Sequence, residues 1–124
     1  MKDFNLVLKE LIKKEDINIT ISDDLKKEFE LTAQRYIKNE NLLDAIKVFA
    51  ITKNKQKLIE TADLCLKNNK FYEALYGYCY ADDKENLNKV GFIFLNLPDI
   101  KAALNSFKKA ENKEMVLFLE LNLF

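Results

Sequence analysis

Cys65 and Cys79 are the only cysteines in this sequence, and no histidine accompanies them. A thiol becomes a useful nucleophile or metal ligand only when a base, a cation or a metal lowers its pKa. Histidine is the usual general base near neutral pH. Without a histidine or a CxxC spacing, neither cysteine is set up for catalysis. Cys65 falls at an apolar helical position and reads as a small buried hydrophobe; Cys79 reads as structural or incidental. The carboxylate pairs Asp23-Asp24 and Asp82-Asp83 could in principle hold a metal or share a proton, but each adjoins a helix end, where capping accounts for it. The two glycines, Gly77 and Gly91, lie inside helical patterns, so there is no glycine-rich loop for a phosphate. The expectation is no enzyme, no metal and no cofactor.

What remains is the chemistry of recognition. Tyr72, Tyr76 and Tyr80 recur at i, i+4 and i+8, one stripe of a helix. Tyrosine gives large contact area at low entropic cost. Leu43 and Ile51 hold the matching places 29 residues earlier, so the stripe could continue as an outer strip. Tyrosines also tolerate exposure, and a solvated stripe fits the same spacing. The C-terminal stretch Glu114–Phe124, EMVLFLELNLF, is apolar on nearly every side of a helix, and such a helix is buried. Leu117, Phe118, Leu121 and Phe124 therefore need a cover. A two-fold homodimer is the first expectation; another protein, or the N-terminal helix of the same chain, would also serve.

Twenty basic and twenty acidic residues cancel and are interspersed, and Arg35 is the only arginine. Nucleic acid and anionic membranes call for a one-signed basic surface, so neither is an expected partner. No stretch approaches the ~20 apolar residues that span a bilayer, and the opening residues lack a secretory apolar run. Two cysteines in such a chain fit reduced thiols in a cytoplasm.

The elements that position these residues follow from a repeat. Residues 26–54, 55–83 and 84–112 align without a gap at a period of 29, and 113–124 begin a fourth copy. Before them, Asp3–Asp16 reads as an amphipathic helix carrying Phe4, Val7, Leu8, Leu11 and Ile12. Ile17, Ile19 and Ile21 then alternate with polar residues as an extended connector, and Ser22 is placed to cap the next helix. Polar breaks at Asn39-Glu40-Asn41, Asn68-Asn69-Lys70 and Leu97-Pro98-Asp99 divide each copy into helix A and helix B. Pro98 fits the first residue of a helix. Lys53-Asn54, Asp82-Asp83 and Glu111-Asn112 join one copy to the next. The chain reads as eight helices in a single domain, with no sheet.

The shared positions define the packing. In helix A, Phe29, Leu58, Leu87 and Val116 coincide, then Ala33, Ala62 and Gly91, then Tyr36, Cys65 and Phe94. In helix B, Leu42, Phe71 and Ile100 coincide, then Ala45, Ala74 and Ala103, then Phe49, Tyr78 and Phe107; Thr52, Ala81 and Ala110 follow. Small residues let helices approach closely while large ones fill the space on either side. One hairpin cannot bury such a face alone, so hairpins must stack.

Leu87-x2-Val90-Gly91-x2-Phe94, followed by Ala103-x3-Phe107 and Ala110, resembles the tetratricopeptide repeat. Leu58-x2-Thr61-Ala62-x2-Cys65 with Ala74-x3-Tyr78 follows closely, and Phe29-x2-Thr32-Ala33-x2-Tyr36 with Ala45-x3-Phe49 more loosely. The family's period is ~34 residues; the shortening here falls at the exit of helix B, and is similar to the solenoids of vesicle-coat and intraflagellar-transport proteins. The resemblance implies an all-α, right-handed superhelix of three and a half hairpins behind an N-terminal helix. It further implies a non-catalytic module that binds protein or peptide on an inner face lined by helices A. That face would carry Gln34, Ile59, Asp63, Asn88, Phe92, Leu117 and Leu121, polar at its N-terminal end and apolar at its C-terminal end. Solvated scaffold also accounts for the polar half, and ordinary packing for the apolar half. The carboxylate clamp of chaperone-binding members does not carry over, because Glu30, Gln34, Glu60 and Glu85 stand at its positions and only Lys89 fits. A small helical enzyme or ligand-binding protein using the groove between helices A is the alternative.

Overall fold

The computed structural model describes residues 21–122, and every element among them is helical. Helix α1 spans Asp23–Lys38, α2 Leu42–Ile51, α3 Lys55–Lys67, α4 Phe71–Ala81, α5 Lys84–Asn96, α6 Ile100–Lys109 and α7 Lys113–Asn122. The expected helix Asp3–Asp16, most of the connector and Phe124 lie outside the described residues.

Each helix begins and ends where side-chain chemistry dictates. Ser22, Asn54, Asp83, Asp99 and Asn112 accept a bond from the backbone N–H three residues on, capping α1, α3, α5, α6 and α7. At the C-terminal ends one turn recurs. Asn41 N–H donates to the Tyr36 carbonyl, Lys70 to Cys65 and Asp99 to Phe94; between hairpins Asn54 donates to Phe49, Asp83 to Tyr78 and Asn112 to Phe107, all at 2.7–3.0 Å. This six-to-one closure commonly places a left-handed residue just before its donor. Glu40, Lys53, Asn69, Asp82 and Glu111 fill that place with φ between 53° and 63°, and they fall at the 29-residue period. The sixth place is Pro98, whose ring forbids positive φ and which has no N–H to give. Its turn still closes through Asp99. Pro98 therefore stands before the Asp99 cap of α6 rather than opening the helix, as its sequence position suggests.

The helices pair as α1 with α2, α3 with α4 and α5 with α6, and each hairpin rests on the next, with α2 also touching α4 and α7 lying on α6. The shared positions are the core: Phe29, Leu58, Leu87, Ala33, Ala62, Ala45, Ala74, Ala103, Phe49, Tyr78 and Phe107 are all buried. Close approach is literal at the glycines. A Cβ on Gly91 would stand 2.6 Å from the Phe107 ring, and one on Gly77 would stand 2.7 Å from the Ala62 Cβ. Val116 differs. Its counterparts are 1–2% exposed, but Val116 is only half-buried, because no helix B follows α7 among the described residues.

Candidate interaction surface

Each helix A carries one stripe of equivalent residues, and it lies over aromatic residues of its own helix B. Gln34, Asp63, Phe92 and Leu121 are equivalent, and the first three sit over the core aromatics Phe49, Tyr78 and Phe107. Asp63 accepts the hydroxyl proton of buried Tyr78. Burial and this bond together hold the Tyr78 phenol well above its usual range. Phe92 instead meets Phe107 edge-to-face, with centroids 5.0 Å apart at 74°. One row along, Glu30, Ile59, Asn88 and Leu117 are equivalent. Asn54 Nδ2 donates to Glu30 at 2.5 Å and Asn112 Nδ2 donates to Asn88 at 2.9 Å. Those two asparagines thus cap one helix and tie it to the preceding hairpin. In the middle copy the cap is Asp83, which lacks the amide N–H of asparagine, and the equivalent place on helix A holds apolar Ile59. Asn88, Asp63 and Ile59 are therefore occupied with joining or covering hairpins, which their variation from copy to copy does not reveal.

The C-terminal end of the stripe is open. Phe92 is 48% exposed, Leu117 58%, Phe118 52% and Leu121 72%, while Leu119 between them is fully buried against the array. Beside them lies a depression of about 500 Å3 lined by Lys108, Glu111, Lys113, Val116, Leu117 and Glu120. A second depression, about 370 Å3, opens near Gln34 at the other end, between Lys27 and Lys57, with exposed Leu31 and the edge of Phe49 in its wall. Neither depression follows from apolar periodicity in the sequence. Its one available sign for the first is Glu120, which stands where the other copies hold Ala33, Ala62 and Gly91.

The tyrosines divide. Tyr72 and Tyr76 are half-exposed. The Tyr72 ring tilts onto Phe94 at 5.1 Å and its hydroxyl donates to Asp99, joining the second hairpin to the third. Tyr80 is partly buried against the core, and Ile51, its counterpart, is 1% exposed. The stripe therefore does not continue into the first hairpin as an exposed strip. Cys65 is fully buried, and desolvation, aided by the Glu73 charge, pushes its thiol up to about 11. It keeps its proton at neutral pH. Asp23 and Asp24 lie in the first turn of α1, and Asp82 and Asp83 end α4 and cap α5. Among the described residues no group of three or more acidic or cysteine side chains is placed to hold a metal ion, and no helix is long and apolar enough to cross a membrane.

The described chain is thus an all-α protein of helical hairpins packed in sequence order. Compared with known protein families, curated proteins and solved structures, it matches none.

Proposed function

We propose that this chain is a non-catalytic, tetratricopeptide-like solenoid that binds protein through the C-terminal end of its helix-A face and self-associates through α7. One observation carries the reading. Leu117, Phe118 and Leu121 stand more than half exposed on a single helix, with half-exposed Phe92 in register with Leu121 on α5. Apolar side chains gathered in this way mark protein contacts. The charge balance and the capped carboxylates favour a protein or peptide partner over nucleic acid, membrane or a small substrate, and reduced thiols accord with a cytoplasmic setting.

The full chain carrying Leu117→Asp and Leu121→Asp tests the reading. Both residues are solvent-exposed in the monomer, so circular dichroism should stay near wild type and the melting temperature should fall only by what association contributed, while self-association is lost. A double variant that assembles as wild type does would reject the proposal.

A further inference from the structure

The depression beside α7 has a shape that the other copies explain. On α5, the places of Val116 and Glu120 are held by Leu87 and Gly91, and the Phe107 ring of α6 rests on Gly91. In the fourth copy Val116 is only half-buried and Glu120 is exposed, and no helix B follows among the described residues, so the depression corresponds to the seat that a helix B fills elsewhere. Its walls on α7 are Lys113, Val116, Leu117 and Glu120. Their spacing, i, i+3, i+4 and i+7, makes them one stripe of the helix. Read along the helix, the stripe is positive, apolar, apolar, negative.

A stripe of that pattern complements itself when reversed. Laid antiparallel on a second α7, each Lys113 meets the partner's Glu120, and Val116 and Leu117 cover their counterparts between the two charge pairs. A parallel arrangement would instead set lysine against lysine and glutamate against glutamate. Lys113 makes no salt bridge among the described residues, and Glu120 reaches only Lys108, at 3.6 Å on the exposed surface. Both remain available to a partner. Glutamate also excludes the alternative of a fourth hairpin built like the first three, because a long charged side chain stands where helix B needs alanine or glycine.

We infer that the occupant of this seat is α7 of a second copy, docked antiparallel about a two-fold axis, with reciprocal Lys113–Glu120 pairs fixing its direction. The contact is isologous, so it closes as a dimer and leaves no unmet surface to propagate. It leaves Phe118, on the far side of α7, for another partner. The inference rests on the self-association read above and adds its geometry.

Charge reversal in the full chain tests it, with sedimentation measuring the dimer and thermal melts confirming the fold. K113E alone and E120K alone should each weaken the dimer by about tenfold or more, since like charges then face each other. The K113E/E120K double variant should dimerise nearly as wild type does. An equimolar mixture of the two single variants should also dimerise, because both reciprocal pairs re-form between unlike chains. If the wild-type chain is monomeric, the underlying self-association fails. If it is a dimer indifferent to every reversal, or if neither the double variant nor the mixture recovers, the antiparallel seat alone is overturned.

Discussion

The Tyr78 hydroxyl, set in the core of the second hairpin, donates its proton to Asp63 at the surface of helix A. The same place in the other hairpins holds Phe49 and Phe107. The fold therefore has room for a ring without the hydroxyl, whereas a hydroxyl without its acceptor is left short of a partner. Tyr78→Phe should change stability by no more than about 1 kcal/mol, while Asp63→Ala should cost about 1–3 kcal/mol. In the Y78F background Asp63→Ala should become nearly neutral. Urea unfolding of the four chains checks the cycle, and additive losses would show that the bond is not what Asp63 contributes.

Five left-handed turn residues carry side chains, and a residue with a Cβ pays roughly 1–2 kcal/mol for that conformation. Lys53 is exposed, so Lys53→Gly relieves strain without removing packing. The gain is reduced by the greater freedom of glycine in the unfolded chain. A net stabilisation of about 0.5–1 kcal/mol is expected. Lys53→Ala, which keeps the Cβ, should bring no such gain. Thermal melts compare the two.

Gly91→Ala sets two effects against each other. Removing a mid-helix glycine favours folding by about 1 kcal/mol. The new Cβ, however, meets three atoms of the fully buried Phe107 ring at 2.6–2.9 Å. Overpacking costs about 1–3 kcal/mol and should win. Adding Phe107→Leu should make the alanine better tolerated than it is alone.

The helix periods, the hairpin breaks and nearly all of the core were legible in the sequence, because a 29-residue repeat states each packing position three times. Two rows escaped. Thr32, Thr61 and Ser106 are buried although polar, since each hydroxyl bonds to the carbonyl four residues back in its own helix. Apolar periodicity cannot register that. The stripe over helices A was legible as a surface but not as a set of joints. Variation there suggests specificity, whereas Asp63 varies with Tyr78, and Glu30 and Asn88 vary with the asparagine caps that bond to them. Glu120 was on view from the start, and its meaning depended on knowing that Phe107 rests on Gly91.

Titration should destabilise the fold from both sides. The bonds from Tyr72 and from the Ala102 N–H lower the Asp99 pKa, and the bond from Lys84 lowers that of Glu111. Folded-state carboxylates held low contribute stability that is present above the ordinary carboxylate range, near pH ~4, and is lost as pH falls below it. Cys65 and Tyr78 are raised, so their contribution is complete below the ordinary thiol and phenol values and is lost as pH rises, for Cys65 through about 11. The melting temperature should hold across neutral pH and fall at both ends. Tyr78→Phe and Cys65→Ala should flatten the alkaline fall, and a fall unchanged by both would locate its cause elsewhere.

The reading of α7 as an assembly surface is tested most directly by the molar mass of the purified full chain, measured by light scattering over a range of concentrations. The account predicts twice the 14.5 kDa of one chain, giving way to a single chain only on dilution. A mass of 14.5 kDa at every concentration, with Leu117, Phe118 and Leu121 open to solvent, would contradict it.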